Sequence, residues 1–120
     1  MSLIAALAAG LVLSGAPAQA FNPADLKPED RADLQCLAFA SVSIGANPNE
    51  AARYALAAGA SFYYGRLQGR TPGMDWMQTL RAYLLTEPRQ ELIANQGRCV
   101  QEMQAVGHAF SGLGAATPGA

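Results

Sequence analysis

The chain has 120 residues, with 8 basic and 9 acidic side chains and a formal net charge of −1. So even a balance excludes the basic excess that phosphate-backbone binding requires, so nucleic acid is not an expected partner. No charge run, repeat or low-complexity array divides the chain.

Its first segment reads as an export signal. Leu3–Leu13 is an unbroken apolar run, too short for a bilayer span of about 20 residues. Ala18 and Ala20 flank Gln19 in an A-x-A pattern that suits cleavage before Phe21. No Lys or Arg precedes the run, so the positive charge usual in such signals is supplied only by the amino terminus. The expected organisation is a signal peptide at 1–20, a single domain at 21–110 and a disordered tail at 111–120. The expected location is periplasmic or secreted, with no stable membrane span after cleavage.

Within the mature part, Asn22-Pro23 favours a turn, and Pro28 suits the first position of a helix. Glu29, Asp30 and Asp33 place negative charge in the first turns, where the helix dipole favours it. A metal or acid–base cluster is the lesser reading of those carboxylates. From Leu34 to Ala46 the chain carries no charge. Leu34, Leu37, Ala38 and Ser41 share one face, Cys36, Phe39 and Ser43 the other, which predicts the most enclosed helix of a bundle. Gly45 and Asn47-Pro48 stop it.

The next helix, Ala51–Arg70, opens near Pro48 with Asn47 as its expected N-cap. Ala52, Leu56, Gly59, Ala60, Tyr63 and Leu67 form its core stripe, and Ala51, Ala55 and Gly59 recur every four residues as a seam for a close neighbour. It ends in the densest aromatic and basic group of the chain. Tyr63, Tyr64, Arg66 and Arg70 are therefore the candidate binding surface, in competition with the ordinary role of the arginines at a helix C-terminus.

A third helix, about Asp75–Leu85, is expected to face inward through Met77, Leu80 and Leu84, flanked by Trp76 and Tyr83. The last, about Pro88–Phe110, aligns Leu92, Gln96, Cys99, Met103, Val106 and Phe110, with Gly97 as a point of bending or division. No segment alternates with period two. The predicted fold is all-α, a small four-helix bundle.

Cys36 and Cys99 are the only cysteines. In an exported chain an even pair favours a disulfide, with free or intermolecular thiols as the alternative. A metal site would need more ligands than His108, the one histidine, can add. No nucleophile elbow, Cys/His pair, phosphate-cradling glycine loop or facing carboxylate pair is visible. The expectation is a non-enzyme without metal or cofactor.

Three stretches carry a resemblance: D-L-Q-C-L (Asp33–Leu37), Y-Y-G-R-L-Q-G-R-T-P-G (Tyr63–Gly73) and the late G-R-C (Gly97–Cys99). Over residues 30–105 the chain resembles a group of short exported bacterial proteins with no assigned activity. They share a C-L start, a central G-R-L-x-G-R and one late cysteine. In architecture alone it is also similar to the HdeA-type periplasmic acid-stress chaperones, which implies a small helical exported protein with one disulfide joining distant helices. The functional expectation is a binding protein for an envelope protein or a small molecule. An acid- or envelope-stress chaperone and an immunity or inhibitor protein are the alternatives.

Overall fold

A computed structural model of the protein describes residues 21–119. The expected signal peptide and its cleavage site before Phe21 involve residues outside that range. A single turn of 3-10 helix, Pro23–Asp25, leads into four α-helices: α1 (Pro28–Ala46), α2 (Glu50–Arg70), α3 (Trp76–Leu85) and α4 (Arg89–Ala116). Among the described residues there is no strand, and no helix is long and apolar enough to cross a membrane. The chain is an all-α bundle.

α1 is the hub, packing against α2, α3 and α4. Its charge-free sequence accounts for this. Leu34, Cys36, Leu37, Ala38 and Ala40 are all buried, so α1 offers apolar surface around most of its circumference. Tyr63 and Leu67 of α2, Trp76, Leu80 and Tyr83 of α3, and Leu92 and Cys99 of α4 complete the core.

The local signals set the helix ends, with one shift. Asn49, rather than Asn47, caps α2 by accepting from the Ala52 amide at 3.0 Å. Asn47 instead accepts from the Asn49 amide, shaping the turn before the cap. Thr71 closes α2 through its amide to the Leu67 carbonyl, and Asp75 caps α3.

Three expectations are corrected. In α3 the buried face is Trp76, Leu80 and Tyr83, whereas Met77 is 58% exposed. The stripe is rotated because the two aromatics have more area to remove from water than a methionine. The Trp76 indole N–H also finds the Thr71 carbonyl at 3.0 Å. α4 is continuous through Gly97, since its neighbours Arg98 and Cys99 are both anchored to α1. The helix also runs on to Ala116, so residues 111–116 are helical and not part of the expected disordered tail at 111–120. Thr117 ends it, its amide returning to the Gly114 carbonyl.

The cysteines form the disulfide Cys36–Cys99, joining α1 to α4 across a sequence separation of 63. Closing a loop of this size stabilises the fold by roughly 4 kcal/mol in the chain-entropy account. Replacing both cysteines with Ala is therefore expected to lower unfolding stability by about 2–5 kcal/mol. Comparison of urea midpoints with the oxidised parent checks it; an unchanged midpoint contradicts it.

Candidate functional site

The aromatic and basic end of α2 turns inward. Arg70 reaches across to the start of α1 and donates to two carboxylates at once, Nη1 to Asp30 Oδ1 at 2.7 Å and Nη2 to Asp33 Oδ2 at 2.8 Å. Arg66 adds its Nε at 3.2 Å from the same Asp33 oxygen. Thr71 Oγ1 donates to Asp30 Oδ2 at 2.7 Å. Asp30 and Asp33 are 2% and 1% exposed, so these are buried charges held by a planar donor fork.

Burial pushes the Asp30 carboxyl up, but the Thr71 and Arg70 hydrogen bonds and the charges of Arg70 and Lys27 outweigh it, leaving Asp30 below the ordinary carboxylate value. The same bonds, to Asp30 and Asp33, raise the Arg70 guanidinium further. Asp30 and Asp33 thus do more than complement a helix dipole: they are the counter-ions of α2.

The two tyrosines divide. Tyr63 is fully buried and its hydroxyl donates to the Cys99 carbonyl at 3.1 Å or to Glu102 Oε2 at 2.9 Å, bridging α2 to α4 beside the disulfide. Burial raises its pKa, with Glu102 adding to the shift. Tyr64 is half-buried and its hydroxyl accepts from Gln68 Nε2 at 2.7 Å. Of the candidate surface, Arg66 is exposed and Tyr64 and Arg70 are half-buried, and Arg66 also lies over the Phe62 ring at 5.2 Å. The segment is spent largely inside the protein.

His108 is exposed on the overhanging part of α4. Among the described residues no group of three or more His, Cys, Asp or Glu is placed to hold a metal ion.

Two open grooves of the bundle are lined mainly by apolar side chains. One is a groove of about 510 Å³ where α1, α3 and α4 meet. Phe39 and Val42 of α1, Leu84 of α3, and Leu92 and Ile93 of α4 line it, while Glu87 and Arg89 stand at one end. Val42 and Ile93 are 48% and 60% exposed. Glu87 holds φ at +55°, the left-handed conformation that costs a side-chain-bearing residue about 1 kcal/mol. None of the ion pairs among the described residues uses Glu87 or Arg89.

The other is a larger groove of about 790 Å³ between α2 and α4, lined by residues from Ala55 to Phe62 and from Val100 to Phe110, none of them charged. Its floor is the contact of Met103 with Gly59. A Cβ at 59 would come within 2.1 Å of the Met103 sulfur, so glycine is what lets Met103 lie across α2.

Comparison with protein-family models, curated proteins and solved structures returned no match.

Sequence reasoning missed both grooves. Val42, Ile93 and Leu84 carried no motif, and only their position on three converging helices joins them. The Asp–Arg cluster was half visible: its members were noted separately, but nothing in the spacing ties Asp30 to Arg70, 40 positions away.

Truncating Arg70 leaves two buried carboxylates without their main partner. Arg70→Ala is expected to cost about 3–5 kcal/mol of stability. Arg66→Ala, at a side chain 42% exposed, is expected to cost no more than about 1 kcal/mol. Urea unfolding of the two variants checks the contrast; equal losses would contradict the assignment of Arg70 as the principal counter-ion.

Proposed function

We propose that this protein is a small exported, non-catalytic binding protein. Its binding site is the groove between α1, α3 and α4, and it takes an amphipathic ligand of the envelope. The observation that carries the reading is the division of labour at that groove. An apolar floor built by Phe39, Val42, Leu84, Leu92 and Ile93 ends at two charged side chains outside every ion pair among the described residues. Binding sites for small molecules have this composition: apolar walls for affinity and a few polar groups that set orientation. The strained Glu87 backbone at one end supports the same reading, because backbone strain collects where a side chain must be aimed. The disulfide and the absence of a membrane-crossing helix among the described residues are compatible with an exported protein.

Anilinonaphthalene sulfonate, which combines apolar rings with an anionic group, is a suitable probe. Its fluorescence is expected to rise on the oxidised protein and to fall at least about tenfold in apparent affinity with Ile93→Asp or Val42→Asp, the loss of one apolar anchor. Arg89→Ala is expected to weaken it by less. If both aspartate variants bind the probe as the parent does, the groove is not the site.

A second reading, the stress chaperone, rests on the buried Asp30–Asp33–Arg70 cluster. Asp30 has a depressed folded-state pKa, so its contribution is fully present above the unfolded value of about 3.9 and is lost as pH falls through the folded value. Acid would release α2 from α1 and expose the core. On this reading the protein suppresses aggregation of an unfolded client at about pH 2–3, where carboxylates titrate. A light-scattering assay with no suppression at that pH removes it.

A further inference from the structure

We infer that the groove between α2 and α4 is the interface of a two-fold symmetric dimer, filled by the overhanging end of α4 from a second copy of this chain.

The overhang itself points there. Leu92, Gln96, Cys99, Met103, Val106, Phe110 and Leu113 are spaced alternately by four and three residues, the seam of a helix built to pack on another helix along its whole length. The first part of that seam is used: Leu92 and Cys99 are buried against α1, and Met103 rests on Gly59. The second part is not. Residues 107–116 are all exposed, with Phe110 at 71% and Leu113 at 67%. From Met103 to Ala116 the helix runs about 20 Å. Its Gly107, Gly112 and Gly114 each disfavour a helix by about 1 kcal/mol relative to Ala. No side chain or backbone atom lies where a Cβ at any of these three would sit, so nothing packed within this chain requires glycine there. A glycine-rich helical end gains little from propensity and draws most of its stability from packing of its apolar face.

Charge selects the occupant. The groove wall from Ala55 to Phe62 and the α4 face from Met103 to Ala116 contain no Asp, Glu, Lys or Arg. Across a two-fold axis every group meets the same surface patch of its partner, so a charge there would face its own sign. A charge-free face meets that constraint, and depletion of charge from the interface core is how interfaces differ from other surface. The α1–α3–α4 groove, with Glu87 and Arg89 at its end, differs on this point and stays open in the dimer.

Sedimentation velocity on the oxidised protein tests the inference. The parent is expected to run at twice the chain mass, and Phe110→Asp to weaken self-association by at least about 30-fold, the effect of removing a central anchor. Leu113→Asp should act in the same direction. Both positions are exposed in the single chain, so circular dichroism should show the helical content of the parent retained apart from the overhang. Ile93→Asp, on the other groove, should leave the mass at twice the chain value. Hydrogen exchange supplies an independent readout: amides of 107–116 are protected in the dimer and lose protection on dilution. A parent that stays monomeric at about 1 mM overturns the inference. So does a dimer untouched by both aspartate variants, or a monomer carrying a co-purified apolar molecule in the groove. None of these results bears on probe binding at Val42 and Ile93, so the two proposals fail separately.

Discussion

The guanidinium of Arg70, spread across Asp30 and Asp33, is the contact on which the arrangement of the first three helices depends. Two carboxylates buried to within a few per cent of complete enclosure are costly to remove from water. They are tolerable here only because a planar fork meets one oxygen of each and Thr71 meets a third. The demand runs both ways along the chain. α2 must end where Arg70 can reach the first turns of α1, and Thr71 must follow at once. The Thr71 carbonyl then receives the Trp76 indole, which seats the start of α3 in the core. A single polar knot therefore fixes the register of α1 against α2 and the entry of α3.

The knot also explains why the most conspicuous residues of the sequence are poor candidates for recognition. Tyr63 and Arg70 satisfy internal partners, and Arg66 leans on Asp33 and the Phe62 ring. The ionic knot is scaffolding, and the two grooves described above are apolar. Those grooves differ in how they treat charge. One ends in Glu87 and Arg89; the other contains none. That contrast separates a site suited to orienting a ligand from a face suited to meeting its own copy.

Much of the fold was legible because it rests on local signals. The charge-free run from Leu34 to Ala46 announced the most buried helix, and Pro28 and Asn47-Pro48 marked its boundaries. The cysteine pair was readable from number and helix face. The rest depends on distance in the sequence. Met77 fits the predicted stripe of α3 as well as Trp76 does by spacing, and only packing against α1 decides which faces in. Asp30 looks like an ordinary helix-start acid until Arg70 is placed beside it. Glycine and alanine from 112 to 116 argue for an irregular tail by propensity, yet the seam through Val106, Phe110 and Leu113 carries the helix past it.

The disulfide has a consequence for the order in which the molecule is put together. Cys36 can have no intramolecular partner until residue 99 has emerged behind it, with α2 and α3 lying between. The ionic knot closes a shorter span, since both its acids and both its arginines are in place once Arg70 has appeared. An emerging chain can therefore assemble α1 on α2 with its own lock while Cys36 is still a thiol.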